Sequence, residues 1–177
     1  EEYFKRTLDL APNYLTYQHY LFCLCFDEKA FPYKYLELAK NFENFYLNKR
    51  SFMFDKWPNS SDVNASQLKI GFVSGDLRNH PVGFFIENII YALNKNKTML
   101  FAYSNSTLET ELTLRIKPNF NKWYIVKSLT DEQLAQQIYN DGIDILIDLS
   151  GYTAHNRLNM FAYKPAPIQV SWLGFFA

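Results

Sequence analysis

Leu68-Lys69-Ile70-Gly71-Phe72-Val73-Ser74-Gly75-Asp76-Leu77-Arg78-Asn79-His80-Pro81 decides how this chain is read. An apolar run, Leu68 to Val73, stops at a turn of small residues. Polar and titratable groups follow, and Pro81 opens a new apolar-periodic segment. That order predicts a strand, a turn and a helix. In an open α/β sheet such a turn lies in the crevice beyond the carboxyl ends of the strands, where ligands bind. Asp76, Asn79 and His80 thereby become candidate site residues.

Pro81 suits the first helical position, where the missing N–H is not needed. His80 then falls at or beside the N-cap, and a neutral imidazole there accepts a proton or a hydrogen bond. Asp76, four residues earlier on the same turn, either orients that ring or shares the role of base. A structural reading fits the same spacing: Asp76 and Asn79 satisfy turn amides while His80 caps the helix.

Further apolar runs lie at Thr98–Tyr103, Trp123–Val126, Ile143–Leu149 and Ile168–Leu173. Helical patterns separate several of them. Phe85, Ile86, Ile89, Ile90 and Leu93 predict one apolar stripe, and Leu134 with Ile138 anchors another. The second helix opens on Thr130 with Gln133 three residues on, a capping box, and ends at Gly142. Strands alternating with helices predict right-handed crossovers and a mostly parallel, doubly wound α/β sheet.

Turns at Ser74–Pro81, Ser150-Gly151-Tyr152-Thr153 and Gly174 each follow a predicted strand, so a parallel sheet brings all of them to one edge. Tyr152 and Thr153 either offer hydroxyls to a sugar or phosphate or only close the turn behind Gly151. Gly151 and Gly174 allow close backbone approach to a ligand. Arg157 either reaches an anion or caps a following helix over residues 156–162, and His155 stands just beyond the second turn. Neither G-x-G-x-x-G, nor a P-loop, nor a nucleophile elbow is present.

Residues 1–50 read as short helices: a charged one to Leu10, a break at Ala11-Pro12-Asn13, a second carrying Tyr14, Tyr17, Leu21 and Leu24, and a third carrying Tyr35, Leu38, Ala39, Phe42 and Phe45. Pro12 suits the start of the second. The pattern matches the end of a helical repeat array. Residues 51–67, with Pro58-Asn59-Ser60-Ser61-Asp62, lose all periodicity and read as a linker.

Over 177 residues the formal net charge is zero, so nothing points to nucleic acid or an anionic membrane as partner. No apolar run approaches the roughly 20 residues of a membrane span. The opening Glu-Glu-Tyr-Phe-Lys lacks the order of a signal peptide. Cys23 and Cys25 are the only cysteines; they read as small core residues of a reducing cytoplasm, and no metal cluster forms around them.

Read together, four segments resemble the tetratricopeptide-repeat-linked protein O-GlcNAc transferase family and its SPINDLY O-fucosyltransferase relatives. They are 68–76, Asn79-His80-Pro81, 141–153 and 165–174, in that order and at the family's approximate spacing. Residues 68–177 resemble the N-terminal catalytic lobe, while 1–50 resemble the last repeat and connecting helices. The resemblance implies a GT-B architecture of two Rossmann-like lobes, of which the second is absent, so the chain alone is expected to be inactive. It implies inverting, metal-independent transfer of GlcNAc from UDP-GlcNAc to Ser or Thr hydroxyls of proteins, with no cofactor.

Carried onto matching positions, His80 and Asp76 are implied near the acceptor hydroxyl, with a donor-phosphate oxygen as another base. Tyr152, Thr153 and Gly174 are implied to touch the donor, and Asn79, Pro81, Gly151 and Arg157 join the expected binding set. Ala154 stands where the animal enzyme carries a lysine, Val82 replaces a threonine, and Gly174-Phe175-Phe176-Ala177 replaces Gly-Tyr-Pro-Gly. These departures leave GDP-fucose as an alternative donor, although Tyr152 favours GlcNAc. A non-catalytic repeat scaffold is the alternative of another class.

Overall fold

The computed structural model describes residues 1–27, 32–58, 67–94 and 98–174. Phe175–Ala177 and residues 59–66 of the aperiodic stretch lie outside the described residues. The chain forms two compact units that divide between Ser51 and Phe52.

The first unit holds α1 (Glu2–Leu10), α2 (Tyr14–Leu24) and α3 (Pro32–Leu47). Asn13 caps α2, its Oδ1 accepting from the Thr16 N–H at 3.0 Å. Pro12 therefore precedes the cap and is not in the first turn, whereas Pro32 opens α3. Leu21 and Leu24 are buried as their spacing predicts, and Tyr17 packs between Phe42 and Phe45, each at 5.5 Å between ring centroids. Tyr14 is exposed instead, and Tyr20 takes a buried place, stacked on Phe4. Cys23 is exposed and Cys25 half-buried, so neither is the core residue expected.

The second unit, residues 52–174, is built on five parallel strands. They are β1 (Leu68–Ser74), β2 (Thr98–Ser104), β3 (Lys122–Ile125), β4 (Ile145–Asp148) and β5 (Ile168–Ser171), in the spatial order β3-β2-β1-β4-β5. The chain builds outward from β1 to β3, returns past β1, and builds the other way through β4 and β5. That reversal makes the gap between β1 and β4 a topological switch point, where Val73 pairs with Asp148. The crossovers carry α4 (Pro81–Asn94), α5 (Glu111–Ile116), α6 (Asp131–Asp141) and α7 (Leu158–Phe161).

Alternate strand residues feed two cores. Ile70, Phe72, Leu100 and Ala102 pack with Ile86, Ile90, Leu112 and Ile116 on one face. Val73, Phe101, Tyr103 and Leu146 pack with Leu134, Ile138 and Met160 on the other. Burial on both faces is why these strands read as continuous apolar runs. Thr130 and Gln133 form the reciprocal capping box, and Gly142 ends α6 at φ 67°. An acid in the last turn of a helix opposes its dipole. Asp141 is nevertheless held there by the Tyr103 and Tyr124 hydroxyls at 2.8 and 3.0 Å. Burial and that neighbouring carboxylate keep the Tyr103 hydroxyl well above the ordinary phenol range.

The expectations for α4 and α7 are corrected as well. Phe85 is 68% exposed, so the buried stripe of α4 is Ile86 and Ile90 flanked by Val82, Ile89 and Leu93. The helix expected over 156–162 contracts to the single turn of α7. The aperiodic stretch is also not wholly connective, because residues 52–57 pack within the second unit. The Phe54 ring stacks on Tyr139 at 4.0 Å while its N–H donates to the Tyr163 carbonyl, and the Trp57 indole N–H donates to the Lys164 carbonyl.

At the switch point Asp148 is 1% exposed and accepts from the Ser150 and Gly151 N–H groups and the Ser171 hydroxyl. Burial pushes its carboxyl above the ordinary 3.8, against the pull of those three bonds. With the folded value raised, the native chain binds more protons than the unfolded one between the two values. Its contribution is therefore present below 3.8 and is lost as pH rises through the folded value. The unfolding free energy of wild type minus that of Asp148→Asn, followed by urea titration, should fall across that window. Ile86→Ala should cost about 2–4 kcal/mol in the same assay. Phe85→Ala should stay within about 0.5 kcal/mol of wild type.

Candidate active site

The turn after β1 is shaped by its own small polar residues. Ser74 Oγ accepts from the Asp76 N–H at 2.9 Å, which bends the chain and buries the Asp76 carboxylate to 6% side-chain exposure. Arg78 grips both ends of the bend, with one nitrogen 3.0 Å from Asp76 Oδ1 and Nε donating to the Gly75 carbonyl. His80 Nδ1 lies 3.8 Å from Asp76 Oδ2 and accepts from the Val82 N–H at 3.3 Å. The ring thus caps α4 and stands beside the carboxylate at once.

Those two contacts demand different proton positions. An Nδ1 that accepts from Val82 carries no proton, which leaves the proton on Nε2. A ring acting as base through Nε2 must carry its proton on Nδ1, and Asp76 is the acceptor waiting there. The 3.8 Å gap exceeds hydrogen-bond length, so a shift of about 1 Å separates capping from base-competent geometry.

The turn after β4 is set by Asp148, with Gly151 at φ 55°. Thr153 Oγ1 donates to the Ser150 carbonyl at 2.7 Å, so its hydroxyl closes the turn. Tyr152 is half-buried beside it. Leaving β5, the chain crosses this turn closely: a Cβ on Gly174 would stand 2.3 Å from the Gly151 nitrogen. The β1 turn meets the β4 turn on its other side, where a Cβ on Gly75 would stand 2.8 Å from the His155 Cβ. The predicted meeting of the three turns is therefore what the backbone displays.

Other expected site residues have different partners. Arg157 is 9% exposed and makes four hydrogen bonds, to Asp131 Oδ1, Asn105 Oδ1 and the Val126 and Leu129 carbonyls. It pins the β3, β2 and β4 loops together and neither caps α7 through its side chain nor faces a ligand with its full fork. Asn79 leans away from His80, its Oδ1 accepting from the Leu112 N–H and its own N–H donating to Thr110 Oγ1. Pro81 is exposed at the first position of α4. Among the described residues, no three His, Cys, Asp or Glu side chains gather into a metal-binding group.

Sequence reasoning passed over Asn105. Its backbone N–H donates to the Ser74 carbonyl at 2.8 Å, its Nδ2 to the His155 carbonyl at 2.9 Å, and its Oδ1 accepts from Arg157. The available signal was a polar residue at the end of the run Thr98–Ser104, on the edge shared with the other turns. Asp148 was equally visible in sequence, two residues before the small-residue turn, without being assigned a task.

Residues 34–177 match glycosyl transferase family 41. A Hordeum vulgare protein named "Probable UDP-N-acetylglucosamine--peptide N-acetylglucosaminyltransferase SPINDLY" is 32% identical over 143 residues, 78% of this chain and 14% of its own length. The Arabidopsis thaliana protein of the same printed activity, SEC, is 37% identical over 119 residues, 67% of this chain and 12% of its own. A variant of the Thermobaculum terrenum O-GlcNAc transferase superposes at a TM-score of 0.82 with 33% identity, covering 97% of this chain and 33% of that one. The chain thus spans about a seventh of the curated relatives it matches. By a match that runs from α3 through the sheet and all three turns, this chain belongs to glycosyl transferase family 41.

Proposed function

We propose that the protein carrying this chain is a cytoplasmic protein O-GlcNAc transferase, moving GlcNAc from UDP-GlcNAc to Ser or Thr hydroxyls with inversion and without a metal or cofactor. One observation carries the reading: the β1, β4 and β5 turns adjoin at the switch point, with the Asp76–His80 pair on the first of them. The printed activities of the relatives support the donor and the peptide acceptor.

Displacement at an anomeric carbon develops positive charge on the sugar and negative charge on the departing diphosphate. Preorganised backbone amides at turns and helix N-termini stabilise the second. The acceptor hydroxyl must lose a proton as it attacks. His80 takes it at Nε2 once Nδ1–H turns to Asp76, and the buried carboxylate steadies the imidazolium formed. Arg78, paired with Asp76 at 3.0 Å, holds that carboxylate in place. Most of the rate comes from alignment of hydroxyl and leaving group. A second lobe supplies the rest of the donor site in this reading, so residues 1–177 alone are inactive.

Asparagine is a good N-cap but cannot accept a proton near neutrality. His80→Asn in the full-length protein should therefore keep its thermal midpoint while transfer falls about 10²–10⁴-fold. Offering UDP- and GDP-sugars to the wild type, with mass spectrometry of the acceptor, should show GlcNAc from UDP-GlcNAc. Fucose from GDP-fucose, or undiminished transfer by His80→Asn, would refute the donor or the base respectively.

A further inference from the structure

We infer that His155 is a donor-binding residue whose imidazole N–H meets the diphosphate of the nucleotide sugar; this rests on the glycosyltransferase reading above. His155 holds φ 62°, the left-handed region in which a side chain is strained and glycine is at ease. The strain is actively maintained. Asn105 Nδ2 clamps the His155 carbonyl at 2.9 Å, and Asn156 Nδ2 donates to the Thr153 carbonyl at 2.7 Å just before it.

A second constraint accompanies the first. The His155 Cβ lies 2.8 Å from where a Cβ on Gly75 would stand, so residue 75 has to lack a side chain for residue 155 to have one there. Both features cost folding stability, and what they provide is an exposed histidine where the β1 and β4 turns meet. Strain kept at the meeting point of ligand-binding turns points to a task for the residue that bears it.

Charge indicates which task. The two guanidinium groups of the β1 and β4 loops are already engaged, Arg78 with Asp76 and the buried Arg157 with Asp131. Ala154 and Thr153 bring no cationic group, and the Thr153 hydroxyl donates into its own turn. The imidazole is thus, along with the Tyr152 hydroxyl, a side-chain donor that the β4 loop can extend to an acceptor-only ligand. A diphosphate gathering negative charge as the sugar leaves is such a ligand.

The test titrates UDP and, separately, uridine into full-length wild type and His155→Gly. Glycine relieves the strain, so the thermal midpoint should hold or rise. UDP affinity should weaken about tenfold, the worth of one charge-assisted hydrogen bond, while uridine affinity stays unchanged. The donor KM should rise more than kcat falls. Equal UDP affinity in the two proteins, equal weakening for uridine, or a lowered thermal midpoint would each overturn the assignment of His155 alone. A wild type that binds neither UDP nor GDP would overturn the glycosyltransferase reading and this inference with it.

Discussion

The Asp148 carboxylate, buried at the end of β4, fixes the shape of the edge on which the candidate site is built. Its two oxygens take the N–H groups of Ser150 and Gly151 and the hydroxyl of Ser171. The first pair bends the chain out of the strand into a turn. The third ties that turn to β5, so that Gly174 passes within backbone contact of Gly151. Removing an acceptor from buried amides costs about 1–3 kcal/mol for each donor left unpaired. Burying a carboxylate is itself unfavourable, which is why this one sits above its usual range even with three donors.

Parallel topology does the remaining placement. With β1 and β4 adjacent and aligned from Val73 to Asp148, their exits leave the sheet side by side. Asn105 then joins the β2 exit to both, bonding Ser74 on one side and His155 on the other. Asp76 and His80 occupy a loop braced by its neighbours. The 3.8 Å between them is the margin by which capping α4 competes with activating the ring. In the proposed mechanism, closing that gap turns the histidine from structural cap to base.

Sequence disclosed the features whose causes are local or repeated. The runs of β1, β2 and β4 stood out because strands inside the sheet, covered on both faces, need apolar residues at successive positions. By contrast, β3 and β5 lie at its edges and are more exposed. Thr130, Gln133 and Gly142 form the ends of α6 from short-range chemistry alone. Where a partner lies far along the chain, sequence was silent or misleading. Arg157 read either as an anion ligand or as a helix cap, and sequence showed no sign of Asp131 and the two distant carbonyls that its guanidinium bonds. Phe85 fitted an apolar stripe, yet the neighbouring α5 and sheet residues select Ile86 and Ile90. Residues 52–57 lacked periodicity because their order comes from Tyr139, Tyr163 and Lys164, all more than 80 positions away.

The most direct measurement is a crystal structure of the full-length protein with UDP bound. The account predicts nucleotide density along the carboxyl edge of the sheet, against the loops that follow β1 and β4 and the chain at Gly174. Nucleotide seated at the opposite edge, or away from those loops altogether, would contradict it.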